Sequence, residues 1–212
     1  MGKMKLMIGL ASLSLILLAN ALQSDLKVGD EIPKSNLNMK NTSVGESQLS
    51  LDEAMASRGL VVVFSCNTCP FVIGNDDFKG WERQYNELAA LAEKHQMGFV
   101  LVNSNEAKRE KGDAFKDMTN RASKQSYTMP YLYDENHVLA DAFGAKTTPH
   151  VYVFDNASKL LYKGAIDNTY KPNVEASNAE HYLKNMLNNY ATGATITPDV
   201  TAPKGCSIKR NS

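Results

Sequence analysis

The stretch VVVFSCNTCPFVIGNDDF, Val61 to Phe78, decides how the chain is read. Together with Gly59 and Leu60 before it, the run GLVVVF is an unbroken apolar, β-branched segment, the pattern of a strand buried on both faces. Cys66 stands at its exit and Cys69 follows after Asn67 and Thr68. Pro70 comes next; it lacks an N–H and disfavours helical geometry at the residue before it, so it belongs in the first turn of a helix. The reading is strand, C-x-x-C, helix. Such a pair can serve as a redox couple, a metal clip or a structural staple.

The staple is the weakest of the three. A disulfide across two intervening residues closes so short a loop that it restricts the unfolded chain little. The sequence holds only three cysteines, too few for the framework of a small secreted domain. As a redox pair, the order of the sulfurs matters. A first cysteine at a helix N-terminus meets unpaired N–H groups and the positive end of the helix dipole, which favour thiolate over thiol. Cys66 is therefore expected to attack and leave, and Cys69 to resolve. As a metal clip, thiolates suit Cu(I) or Zn, with His150 as an added ligand. The remaining histidines, His95, His137 and His181, have no ligand spacing to the cysteines, and neither a resident metal nor another cofactor is expected.

Outward from the pair, the 212 residues are 43% hydrophobic, enough for one well-filled core and short for two domains. Lys+Arg and Asp+Glu balance at 23 each, and no basic run is interleaved with aromatics, so nucleic acid is not an expected partner. The first residues carry Lys3 and Lys5, an apolar stretch from Leu6 to Leu18, and Ala19-Asn20-Ala21, the order of a secretory signal peptide. A bilayer span needs about 20 apolar residues, so no stable membrane anchor is expected. The expected organisation is a signal peptide at 1–21, one domain at 22–193 and an extended arm at 194–212, with the chain exported, to the periplasm in a Gram-negative bacterium.

Within the domain, residues 26–50 read as a short strand or hairpin region. Ser50 and Glu53 make a capping box for a short helix through LDEAMAS. DDFKGWERQYNELAALAEKH repeats Phe78, Trp81, Tyr85, Leu88 and Ala92 at helical spacing and predicts an amphipathic helix, its aromatics packed in the core. MGFVLVNSN is a second buried strand. DAFKDMTNRASKQ is a second long helix with Phe115, Met118 and Ala122 inward, PYLYD a short strand and VLADAFGA a short helix. HVYVFD and KLLYKGAID, joined by Asn156 to Ser158, form an antiparallel hairpin, and SNAEHYLKNMLNNYATG closes the domain as a helix stopped at Gly193. The fold class is α/β: a mixed sheet with a parallel core and an antiparallel hairpin, flanked by helices.

Strand, C-x-x-C, helix and the distal Thr148-Pro149 opening HVYVF resemble the thioredoxin superfamily. CNTCPFV, FVLVNSN, YLYDENHVLADAFGAKTTPHVYVFD, YKGAIDN and the terminal GCSIKR resemble its peroxiredoxin-like, exported redoxin branch. The resemblance implies a thioredoxin-like fold, a cis peptide before Pro149, and a Thr148–Pro149 loop that lies against the pair and meets substrate backbone. It implies thiol–disulfide exchange with protein or small-molecule thiols and disulfides, and a partner protein that recycles the pair. A peroxide acceptor is the alternative within the same class, and a metal-binding module without turnover the alternative outside it. The chain departs from both relatives. The threonine or serine that peroxiredoxins place three residues before the peroxidatic cysteine is Val63 for Cys66, or Cys66 for Cys69. The buried acid that thioredoxin places six residues before its first cysteine is Leu60, leaving Cys69 without an assigned base. Cys206 has two readings: a thiol on a poorly anchored tail, or a third redox cysteine on an arm folded back to the pair.

Overall fold

The computed structural model describes residues 25–170 and 178–211. The signal-peptide segment at 1–21 therefore lies outside the described residues. In chain order the strands are β1 (Met39–Asn41), β2 (Gln48–Leu49), β3 (Gly59–Ser65), β4 (Gly98–Asn103), β5 (Tyr131–Tyr133), β6 (Thr147–Thr148), β7 (His150–Asp155), β8 (Leu160–Gly164) and β9 (Cys206–Ser207). The helices are α1 (Leu51–Ala54), α2 (Pro70–Ile73), α3 (Tyr85–Lys94), α4 (Phe115–Lys124), α5 (Val138–Phe143) and α6 (Tyr182–Thr192).

Seven strands form one sheet in the order β2-β1-β5-β4-β3-β7-β8. β3, β4 and β5 run parallel, while β7 pairs antiparallel with β3 and with β8, as the hairpin pattern predicted. β3 is an interior strand, every residue of it is buried, and its alternation divides the core. Val61 and Val63 face α3, α4 and α6 along with Cys66 and Cys69, whereas Leu60, Val62 and Phe64 face α1 and α5. The continuous apolar run is thus the signature of a strand covered on both sides. Ser50 caps α1 as expected, accepting from the Glu53 N–H while the Glu53 carboxylate accepts from the Ser50 N–H at 2.8 Å.

Two expectations change. The helix predicted from Asp76 begins only at Tyr85, after a single 3-10 turn at Glu82–Gln84. Residues before it form a loop: Asn75 Oδ1 accepts the N–H groups of Asp77 and Phe78, and Gly80, at φ +73°, lies so close that an added Cβ would sit 2.4 Å from the Gly74 nitrogen. Trp81 keeps its place in the core without being helical. Its Nε1 donates to the buried Asp167 at 2.6 Å. On α4, Met118 and Ala122 point inward but Phe115 is exposed, because it opens the helix and rests edge-on against Tyr133.

The C-terminal arm is not loose. The Thr201 N–H donates to the Lys163 carbonyl, the Ile208 N–H to the Lys146 carbonyl, and the Ala107 N–H to the Lys209 carbonyl. Ile208 is buried against the Phe64 side of the sheet, and Arg210 Nε reaches Asp141 at 2.6 Å. An aperiodic, proline-containing segment is anchored here by pairing with existing edges, which leaves no hydrophobic period to read.

Candidate functional site

β3 delivers Cys66 to the end of the sheet, 1% exposed, and a short loop carries the chain to Cys69, 2% exposed. The helix that follows begins at Pro70, so Cys69, not Cys66, is its N-cap residue. Pro70 opens the first turn as expected, but the cysteine at the helix N-terminus is Cys69 rather than the expected Cys66. Proline cannot donate and restrains Cys69 to extended geometry (φ −83°, ψ 124°), which delays the first turn.

Thr148 and Pro149 close the site. The Thr148–Pro149 peptide is cis. Cys66 Sγ lies 3.2 Å from Thr148 Oγ1, and the Cys69 thiol donates to the Thr148 carbonyl at 3.2 Å. The third cysteine is here as well. β9 pairs antiparallel with β6, Thr148 opposite Cys206, and the Cys206 N–H donates to Cys69 Sγ at 3.3 Å. All three cysteines are free thiols.

These contacts set the ionisation. The Cys66 S–H donating to Cys69 is the largest influence on Cys69; with the Cys206 thiol, the Cys206 N–H and the Phe71 N–H it outweighs burial and brings Cys69 down to about 5. The Thr148 carbonyl accepts a hydrogen bond from the Cys69 thiol in its protonated form and so opposes the thiolate, but four donors face this one acceptor. Cys66 moves the other way, pushed well up by its bond to Cys69, by burial and by the charge of Asp113. A one-turn helix contributes little dipole, so the acidity of Cys69 rests on these donors.

Asp113 is the residue that sequence reasoning missed. Wholly buried, it accepts from the Asn67 N–H at 2.7 Å, Thr68 Oγ1 at 2.8 Å, Asn103 Nδ2 at 2.8 Å and Asn105 Nδ2 at 3.2 Å. Asn67 is held from its other side, accepting from the Tyr131 hydroxyl at 3.0 Å and donating to the Gly112 carbonyl at 2.9 Å. A carboxylate after β4 therefore holds both residues between the cysteines. The signal available was a polar cluster, Asn103-Ser104-Asn105, ending a buried strand, where side chains need partners.

His150 is excluded from the thiol cluster by strand alternation. It opens β7 on the face of Tyr152 and Phe154, opposite to Val151 and Val153, and its Nδ1 lies 3.3 Å from the Tyr152 hydroxyl. Burial, with Lys163 and Lys146 adding to it, lowers its pKa to about 3 and keeps it neutral. Among the described residues no group of three or more His, Cys, Asp or Glu is arranged to hold a metal ion, and no helix is long and apolar enough to cross a membrane.

The redoxin family model matches residues 27–183, the span that holds the buried thiol pair and the cis Thr148–Pro149 peptide. The chain belongs to the redoxin family. Its chemistry is thiol-based redox, that of a thiol oxidoreductase or peroxidase. An uncharacterized conserved protein from Geobacillus kaustophilus is similar in structure at 28% identity, with TM-score 0.71 over 87% of this chain and 93% of the other. A protein of Sinorhizobium meliloti 1021 shares the fold at 22% identity, with TM-score 0.75 over 89% and 97%. The bacterioferritin comigratory protein of Xanthomonas campestris, described with alkyl peroxide reduction activity, shares it at 15% identity, TM-score 0.53, over 79% and 99%. No curated protein matches the chain. The redoxin match ends before the arm that carries Cys206.

Proposed function

We propose that this redoxin is a thiol–disulfide oxidoreductase that exchanges its Cys66/Cys69 dithiol with disulfides of proteins or small molecules, in an exported compartment. The observation that carries the reading is the placement of the pair: Cys66 and Cys69 meet at the end of β3 under the cis Thr148–Pro149 peptide, with Cys66 Sγ 3.2 Å from Thr148 Oγ1 and Cys69 Sγ 3.2 Å from the Thr148 carbonyl oxygen, and the contacts favour thiolate on Cys69 and thiol on Cys66. Each unit by which a thiol's pKa exceeds ambient pH costs about tenfold in thiolate and returns only about threefold in nucleophilicity. Cys69 is thus the faster attacker at neutral pH, reversing the order expected from sequence, and Cys66 resolves. For Cys69 itself, a pKa near 5 raises the thiolate fraction at pH 7 about 30-fold over an ordinary thiol and lowers nucleophilicity by about the same factor. The main kinetic benefit is that Cys69 leaves readily from a mixed disulfide.

The two electrons balance as follows. Cys69 thiolate attacks a substrate disulfide and expels one thiolate, which takes up a proton. Cys66 then loses its proton, attacks Cys69 Sγ, forms the Cys66–Cys69 disulfide and expels the second thiol. A recycling partner of the same chemistry returns the pair to dithiol. The lysine, apolar and Ala-x-Ala order of residues 1–21 supports export.

One observation favours peroxide as the acceptor. Cys66 stands three residues before Cys69 and donates to it, the place where peroxiredoxins keep a threonine or serine. Insulin reduction and hydrogen peroxide consumption, assayed side by side on residues 22–212, separate the two readings. Insulin turnover lost in Cys69→Ser supports disulfide exchange. Fast, saturable peroxide consumption with no insulin turnover replaces it with the peroxidase.

A further inference from the structure

Cys66 and Cys69 are 1% and 2% exposed, and the chain's own arm packs onto Cys69 and the neighbouring Thr148. β9 is laid antiparallel on β6, the strand that ends at the cis-proline, with Cys206 directly opposite Thr148. The fit is close: a Cβ on Gly205 would stand 2.1 Å from the Thr148 carbonyl oxygen, so glycine is required for this approach. Cys206 makes two contacts with Cys69, its N–H donating to Sγ at 3.3 Å and its thiol meeting the same sulfur. Cys206 is also half-buried, the outermost of the three sulfurs. The arm continues onto Asn105, whose Oδ1 accepts the Lys209 N–H at 2.9 Å, so the placement of Cys206 is fixed on both sides.

We propose that Cys206 is the third sulfur of the redox centre: it forms a disulfide with Cys69 and carries exchange between the buried Cys66–Cys69 pair and thiols in solvent. The proposal rests on thiol–disulfide exchange at Cys66/Cys69. Starting from the Cys66–Cys69 disulfide, Cys206 thiolate attacks Cys69 Sγ. The Cys69–Cys206 bond forms, the Cys66–Cys69 bond breaks, and Cys66 leaves as thiolate and takes up the proton that Cys206 gave up. No electrons are gained or lost. An external thiol, of the class already proposed as substrate, then attacks Cys206 Sγ, expels Cys69 thiolate and makes a mixed disulfide at the surface. A second external thiol releases the external disulfide and restores the Cys206 thiol, and two electrons have entered the protein.

The contacts suit each step. Cys69 is the best leaving sulfur of the three, and the step at the surface expels it. Burial and the bond to Cys69 thiolate push Cys206 up to about 11 in the fully reduced state, so Cys206 is spared from reacting there. When Cys69 is locked in a disulfide its charge is gone, that bond no longer opposes ionisation of Cys206, and Lys209 still favours it.

The test compares wild type, Cys206→Ser and Gly205→Ala, all at residues 22–212, each oxidised and then reduced by glutathione in single-turnover mode. Non-reducing peptide maps are taken from quenched time points. The proposal expects a Cys69–Cys206 link to build and decay in wild type, and reduction at least tenfold slower in Cys206→Ser. Gly205→Ala, with all three cysteines present but the arm pushed from β6, should lose the link and slow equally. A Cys66–Cys69 link alone in wild type, with Cys206 alkylatable throughout and reduction equally fast in all three proteins, overturns the third-sulfur proposal while leaving disulfide exchange standing. Failure of wild type to form any disulfide overturns both.

Discussion

Asp113 Oδ1 accepts the backbone N–H of Asn67 at 2.7 Å from 46 residues downstream, so the loop between the two cysteines is shaped by a carboxylate that belongs to another part of the fold. Its other oxygen takes Thr68, and asparagines 103 and 105 complete the set. Replacing Asp113 with Ala strands several buried donors at once, at about 1–3 kcal/mol for each one left unpaired. Chemical denaturation should show a loss of about 3 kcal/mol or more; a loss under about 1 kcal/mol would mean the loop is held by something else. In Asp113→Asn the charge that raises Cys66 is gone, and Cys66 should become more acidic.

The acidity of Cys69 depends first on a hydrogen donated by Cys66. Cys66→Ala should therefore raise the Cys69 pKa by a unit or more from about 5, while Cys66→Ser, which keeps an O–H donor, should leave it close to wild type. Thiolate absorbance near 240 nm against pH reads both. An unchanged midpoint in Cys66→Ala would show that the Cys206 and Phe71 donors suffice without it.

The same shift makes stability depend on pH. Cys69 is lowered on folding, so its contribution is fully present above the unfolded thiol value, about 8.5, and is lost as pH falls through about 5. The reduced protein should gain stability with rising pH across that window relative to Cys69→Ala. Cys66, raised on folding, works in the opposite sense, favouring the fold below the unfolded value and losing that contribution as pH rises through its folded one. A flat difference in unfolding midpoint between pH 5 and 8.5 would contradict the assignment.

What was legible in the sequence came from periodicity and punctuation. GLVVVF and MGFVLVNSN announced themselves as buried strands because they are covered on both faces, and Ser50 with Glu53 marked α1 by chemistry within a single turn. Asp76 to Trp81 misled because apolar residues at helical spacing also occur in a loop that packs its aromatics inward, and the Asn75 side-chain bonds and the close approach of Gly80 to Gly74 distinguish the two. The C-x-x-C was evident, but the surroundings of its two sulfurs were not. They depend on where Pro70 lets the helix start and on the approach of Thr148 and Cys206, the last 137 residues from Cys69. Asp113 was hidden for the same reason, since its partners meet only in the fold.

The arm should come free when its anchors are cut. Ile208→Ala removes a nearly buried side chain, worth about 2 kcal/mol or more. Arg210→Ala removes bonds to Asp141 at 2.6 Å and to the Ala145 carbonyl at 2.8 Å. In the double variant, tryptic cleavage after Lys204 should accelerate at least tenfold and the Cys69 pKa should rise, because two of its donors leave with Cys206. Cleavage at the wild-type rate would show that pairing of β9 with β6 holds the arm alone.

The most direct test of Cys69 as the attacking sulfur is to trap it. The Cys66→Ser/Cys206→Ser variant keeps only Cys69, and Cys69→Ser/Cys206→Ser keeps only Cys66. Each is mixed at pH 7 with an excess of a small aromatic disulfide, quenched in acid and mapped by mass. A stable mixed disulfide that accumulates fast on Cys69, with capture on Cys66 at least tenfold slower, is the predicted result. Fast capture on Cys66 with Cys69 inert would contradict the account and restore the order of sulfurs expected from the sequence alone.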